Sequence, residues 1–165
     1  MEPNGGLRES FVAALRELQA EGLHLDLDPD DLGEPDTFDA FVEQTRRERL
    51  EEVMAPLGLV PSTTLWLMDG DEWLGRVSIR HRLTERLTTY GGHIGYEVKP
   101  SRRRQGYGLL MLRKALPVAH GLGVDPALLT CSRTNVASRR IIEACGGVAT
   151  DSVGERLRFW VPTSS

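Results

Sequence analysis

The stretch that most constrains this 165-residue chain runs from residue 93 to residue 111, His-Ile-Gly-Tyr-Glu-Val-Lys-Pro-Ser-Arg-Arg-Arg-Gln-Gly-Tyr-Gly-Leu-Leu-Met. Ile94, Tyr96 and Val98 alternate as a half-buried strand requires, and Pro100 withdraws a ladder donor and ends it. Arg102 to Arg104, Gln105, and Gly106 and Gly108 flanking Tyr107 follow, leading into an apolar run from Leu109 to Leu116 that predicts a helix. A strand, a basic loop and a glycine-opened helix start stack free backbone N–H groups at the positive end of a helix dipole, which is a site for an anion. Two familiar phosphate loops do not fit. No Lys-Ser or Lys-Thr pair follows the glycines, as a nucleoside triphosphate loop needs, and Met111 stands where a dinucleotide fingerprint needs its third glycine.

What remains is Arg103-x-x-Gly106-x-Gly108, and here the chain resembles the GNAT superfamily of N-acetyltransferases, whose pyrophosphate loop reads Arg/Gln-x-x-Gly-x-Gly/Ala between a strand and a helix. Residues 128 to 147 form a second segment, a strand followed by a helix that starts near Asn135. It is similar to the C-terminal GNAT segment Asn-x-x-Ala/Ser, and the resemblance covers roughly residues 60 to 162. It implies acetyl-CoA as acyl donor, with no metal. Arg103, Arg104, Gln105, Gly106, Tyr107 and Gly108 would lie at its pyrophosphate, and Asn135 and Ser138 at the pantetheine arm. The backbone N–H of Val98 would serve as oxyanion donor. It also implies that the strands near 93–98 and 125–131 splay apart to admit the pantetheine. Asn135 has a second reading as a plain helix cap.

Along the chain, Leu7, Phe11, Ala14, Leu15 and Leu18 predict an amphipathic helix that Gly22 stops, and a second helix, capped by Asp36 or Thr37, runs on to Met54. Little chain precedes Leu7, so the first strand of the GNAT pattern is expected to be short or absent. Pro56 to Pro61 read as a linker. Thr63 to Met68 and Trp73 to Ile79 are strands joined by a hairpin at Asp69-Gly70-Asp71. His81 to Gly92 is a polar link. Pro117 is expected to kink the next helix or end it about one turn early. Val124 to Cys131 and a closing pair, Gly147 to Ser152 and Arg156 to Val161, supply the remaining strands. The order predicts one α/β (mixed α+β) domain over residues 1–165, a twisted mixed sheet with helices on both faces.

Charge is uneven. Residues 1–60 carry 15 acidic and 5 basic side chains, net -10, against 9 and 15, net +6, in the rest. The acidic helices of residues 7–55 read either as a solvated face or as one wall of an acceptor site for a cationic amine, small molecule or peptide. With three adjacent arginines as the one dense basic run, nucleic acid is disfavoured, and no apolar run reaches membrane-spanning length. Two cysteines and no leader pattern point to the cytoplasm, and a homodimer is compatible with the chain.

Amine acetylation needs a proton acceptor, an oxyanion donor and a proton for the departing thiolate. His93 and Glu97 share a strand face four residues apart, roughly 13 Å, so one at most acts directly. Each also has a structural reading, His93 as a satisfied strand histidine and Glu97 as the partner of a loop arginine. Many relatives present a tyrosine at the position of Ile142, which has no proton to give. Ser138, Tyr107 or water are left for that task. Cys131 and Cys145 read as small buried apolar residues rather than nucleophiles. The competing class is a non-catalytic acyl-CoA-binding or regulatory module of the same fold.

Overall fold

Phe11, Ala14, Leu15 and Leu18 form the buried stripe of α1 (Arg8–Gln19) in the computed structural model, which describes residues 1–164. A single turn, α2 (Pro29–Leu32), leads to α3 (Pro35–Arg47), which opens on a proline whose missing N–H costs nothing at the first helical position. The predicted helix to Met54 is broken. Its start is at Glu34-Pro35 rather than Asp36 or Thr37, and it stops at Glu48, whose carbonyl accepts the Ser62 N–H at 2.9 Å. The incoming strand thus takes the carbonyl that a longer helix would need, and helix resumes only over α4 (Glu51–Met54).

β1 (Ser62–Asp69) and β2 (Glu72–Arg80) form the expected hairpin, with Gly70 at φ +59° in its turn. Met68 pairs with Trp73 and Leu67 with Gly75, so Leu74 is the extra residue of a bulge. The bulge changes the alternation and brings Trp73 to the face that carries Arg76 and Ser78. On that face Trp66 and Trp73 meet Phe11 and Phe38 of the helices, with Phe11 stacked on Trp66 at 5.1 Å. The opposite face, Leu65, Leu67, Val77 and Ile79, packs in the main core with residues of the helix that follows the basic loop. Helices therefore cover both faces.

The polar link 81–92 holds a short α5 (Glu85–Thr89) capped by Thr84. β3 (Ile94–Val98) pairs antiparallel with β2, and α6 (Tyr107–Gly121) follows the loop. The early end expected at Pro117 does not occur. Pro117 has no N–H to offer the Arg113 carbonyl, yet Ala115 and Ala119 on either side of it are buried in the core, and that packing carries the helix on to Gly121. β4 (Ala127–Ser132), α7 (Val136–Ala144), β5 (Val148–Val153) and β6 (Arg156–Val161) complete the chain.

The mixed α/β class is as expected, and the sheet divides between the third and fourth strands, where the resemblance implied a splay. β1-β2-β3 and β4-β6-β5 are two antiparallel sheets of three strands. They meet where the His93 N–H donates to the Leu128 carbonyl at 2.7 Å and the Leu128 N–H donates to His93 Nδ1 at 2.9 Å. Beyond this joint β3 and β4 share no ladder. Among the described residues no strand precedes α1. The first strand is reduced to one residue, Met1, which exchanges two hydrogen bonds of 2.7 Å with the backbone of Trp66. No helix among the described residues is long and apolar enough to cross a membrane.

Candidate active site

The opening between the two sheets is edged by β3. The Lys99 N–H bonds the Leu74 carbonyl, and Val98 sits opposite Gly75 one step earlier. Antiparallel pairs alternate between hydrogen-bonded and non-hydrogen-bonded, so Ile94, Tyr96 and Val98 direct their N–H groups away from β2 and toward the opening. Val98, the predicted oxyanion donor, lies at the loop end of this row.

The loop continues as one 3-10 turn (Pro100–Arg102), then Arg104 at φ +62° and Gly106 at φ +83°, both left-handed, before Tyr107 starts α6. A Cβ on Gly106 would meet nothing within 4 Å, so this glycine is required by its backbone angle. Gly108 differs, because a Cβ there would stand 2.9 Å from Ile141 Cδ1, and its bareness lets α7 approach α6. The loop's cations are largely engaged. Arg103 pairs with Glu21 at 2.7 Å and gives its Nε to the Val98 carbonyl, while Lys99 pairs with Glu72 at 2.8 Å and Glu17 at 3.8 Å. Arg102 also binds Glu72, and hydrogen bonds from Arg102 and Lys99 hold that carboxyl down at about 2. Among the described residues Arg104 has no ion-pair partner.

Across the opening, Ser138 Oγ lies 3.0 Å from the Tyr96 hydroxyl, and burial pushes the Tyr96 phenol up from its ordinary pKa. Asn135 caps α7, its Oδ1 accepting the Ser138 N–H at 3.1 Å, which leaves its amide N–H groups for other partners. Ile142 is fully buried in the core. Tyr96 was not among the predicted hydroxyls. Its signal was present in the alternation, since it is the one hydroxyl between Ile94 and Val98 on the core face of the strand.

On the other face of the first sheet lies a cavity of about 380 Å³. Phe11, Phe41, Trp66 and Trp73 give it an aromatic lining, and His24, Asp26, Glu48, Arg76 and Glu97 give it charge. Glu97 Oε1 accepts from His24 Nε2 at 2.7 Å and from Arg76 Nε at 2.8 Å. Burial pushes the Glu48 carboxyl up, with Arg76 opposing. The two predicted base candidates therefore have different surroundings. Glu97 lines the cavity, whereas His93 Nδ1 is occupied by the Leu128 N–H, and burial and Arg80 lower the His93 pKa. Of the acidic residues in the helical wall, Asp26 and Glu48 reach the cavity, while Glu17 and Glu21 turn to the basic loop. Burial raises both cysteine thiols, as suits apolar packing. Sequence reasoning did not find His24, which lies in a turn-rich acidic segment without periodicity.

A divided sheet, an outward N–H edge ending at a helix N-terminus, and a separate charged cavity together define a mixed α/β domain in which an open edge and a charged recess lie on the two sides of one strand. The chain belongs to the GNAT acetyltransferase family, since the family model described as Acetyltransferase (GNAT) domain matches residues 14–148. No curated protein matches it significantly in sequence. Among solved structures it is similar to the microcin self-immunity acetyltransferase MccE in complex with acetyl-CoA and AMP, at 14% identity and a TM-score of 0.65 over 98% of this chain and 90% of that one. It is similar also to Mycobacterium smegmatis RimJ in complex with CoA-disulfide, at 18% identity and 0.60 over 94% and 77%. A third is YncA of Salmonella typhimurium with its cofactor acetyl-CoA, at 15% identity and 0.58 over 100% and 93%. At these identities the likeness is one of fold.

Proposed function

We propose that the protein is an N-acetyltransferase that moves an acetyl group directly from acetyl-CoA to a cationic amine carried on an apolar body. The observation that carries this is the row of outward N–H groups on β3, which links the anion-binding loop at one end to the side chains of the charged cavity behind the strand. In this reading Ile94 and Tyr96 hold the pantetheine as an added strand would, with the Asn135 amide on its other side. The backbone of Gly106, Tyr107 and Gly108, with Arg103, Arg104 and Gln105, receives the pyrophosphate. The Val98 N–H meets the oxygen that becomes negative during attack. Ser138, backed by Tyr96, returns a proton to the thiolate, while Tyr107 sits at the loop. Placement of amine against thioester supplies the larger part of the acceleration, about 7 to 11 kcal/mol for well-oriented neighbours.

The cavity favours an aromatic or bulky aliphatic amine, because aromatic side chains line it while Asp26 and Glu48 attract an ammonium. Both cysteines are free thiols, in keeping with a reducing, cytoplasmic setting. The test is turnover of acetyl-CoA with a panel containing phenethylamine, tryptamine, spermidine, lysine and a short peptide, read as free thiol released and acetylated product by mass spectrometry. Equal amounts of thiol and product with at least one amine are expected. Tight CoA retention with no thiol released across the panel would instead make the chain a non-catalytic acyl-CoA-binding module.

A further inference from the structure

The chain has four histidines, and three are placed away from the acceptor. His93 Nδ1 is held by the Leu128 N–H, His81 Nε2 meets Thr63 Oγ1 at 2.8 Å, and His120 lies near Asp125 at 3.8 Å outside the cavity. His24 lines the cavity. Its backbone has φ +51°, a left-handed conformation that a side-chain-bearing residue keeps only where its surroundings fix it. They do so here. Gln19 Nε2 donates to the carbonyls of His24 at 2.9 Å and Leu27 at 2.6 Å, and the Leu27 N–H closes onto the His24 carbonyl at 3.1 Å. The constrained turn delivers the ring to Glu97, 73 residues away in sequence, and Arg76 fixes that carboxylate from β2.

A ring nitrogen that meets a carboxylate carries the proton, so the contact of Nε2 with Glu97 leaves the lone pair on Nδ1. We propose that His24, oriented by Glu97, is the general base of the acetyl transfer. This rests on the reading of the protein as an N-acetyltransferase. The acceptor ammonium gives one proton to His24 Nδ1. The freed nitrogen pair then forms the bond to the thioester carbon, the carbon–sulfur bond breaks, and the second nitrogen proton leaves with the sulfur through Ser138. The imidazolium passes its proton to solvent. The charged groups that line the cavity with His24 are Glu97 from β3, Arg76 from β2, Asp26 from its own loop and Glu48 from the end of α3, and of these Glu97 touches the ring.

The experiment compares kcat/KM against pH for the wild type, His24→Gln and Glu97→Gln, with acetyl-CoA saturating and phenethylamine or the fastest panel amine as acceptor. Calorimetry with CoA and circular dichroism accompany each variant. The wild type should show an acidic limb, the sign of a base that must be unprotonated to act. His24→Gln should lower kcat about 100-fold or more, lose that limb and keep its CoA affinity. Glu97→Gln should keep the limb and lower kcat by less than His24→Gln, because the ring loses only the partner that orients it. An unchanged limb in His24→Gln, or activity within about threefold of wild type, overturns the proposal. Loss of the limb in Glu97→Gln but not in His24→Gln assigns the base to Glu97 instead. A wild type that binds CoA but acetylates no amine overturns the transferase reading itself, and this proposal with it. If His24→Gln does not fold, nitrogen NMR of the wild-type imidazoles decides, since a neutral His24 carrying its proton on Nδ1 contradicts the assignment.

Discussion

Replacing Gly92 by alanine tests the joint between the two sheets. Gly92 has φ +58°, and an added Cβ would stand 2.2 Å from the Leu128 carbonyl oxygen and 2.8 Å from its carbon. Ordinary contact begins near 3.4 Å, so the two backbones must separate by more than an ångström, and no rotamer change relieves a clash with backbone. That movement breaks the bonds of 2.7 and 2.9 Å between His93 and Leu128. Leaving two part-buried groups unpaired costs about 1 to 3 kcal/mol each, and an alanine in the left-handed region adds about 1 kcal/mol. The sum is about 3 to 7 kcal/mol, equivalent to a Tm lower by roughly 10 to 20 °C in a domain of this size. Urea unfolding followed by fluorescence gives the stability, since Trp66 and Trp73 report one sheet and Trp160 the other. Gly91→Ala is the control. Its φ is +93°, but its Cβ would meet only the Arg80 and Leu87 side chains, at 3.2 Å or more, so it should cost about 1 kcal/mol. If Gly92→Ala is no more destabilising than Gly91→Ala, the joint does not hold the sheets together.

Gly106→Ala should weaken CoA binding about tenfold by calorimetry while costing about 1 kcal/mol of stability, because its φ is left-handed and its surroundings are open; Gly108→Ala should act on stability first, through Ile141. Ser138→Ala should lower kcat about tenfold with unchanged CoA affinity, whereas Asn135→Ala should cost about 1 kcal/mol of stability through the lost cap, read by denaturant midpoint. Burial raises the folded-state pKa of Glu48, so its favourable contribution is complete below the ordinary carboxylate range and is lost as pH rises through the folded pKa. Glu48→Gln should therefore raise the Tm at pH 7 to 8, lose that gain by about pH 4, and raise the KM of a cationic amine; a variant with unchanged Tm at pH 7 refutes the burial argument.

Much of the architecture was legible because its signals are local. β-rich runs around a hairpin turn located β1 and β2 and alternation located β3, each to within a residue or so, and the glycine-flanked loop marked the start of α6. What was missed depends on contacts between distant segments. Glu48 ends α3 because Ser62 takes its carbonyl, and Pro117 is carried through α6 by the burial of Ala115 and Ala119. The joint between the two sheets rests on a glycine meeting a backbone 36 residues away, which no window of sequence contains. The candidate site divides in the same way. Its anion loop was readable as a motif, whereas His24 reaches Glu97 only through the fold, and the alternation that exposed Tyr96 gave no sign of Ser138 beside it.

The ion pair of Arg103 with Glu21 makes the loop a competitor of its own ligand. Both side chains are about 41% exposed, so the pair contributes about 1 kcal/mol or less, and an incoming phosphate exchanges with it at little cost. Salt that screens the attraction of phosphate for the arginine also loosens the hold of the glutamate, so the two effects oppose each other in the rate of association. Because Glu21 follows α1 and His24 lies three residues further on, release of the arginine frees the base of the same turn that presents the imidazole. In the proposed transferase, a phosphate at the loop would thus be felt at the cavity through a few residues of backbone, an order of events in which the donor comes first.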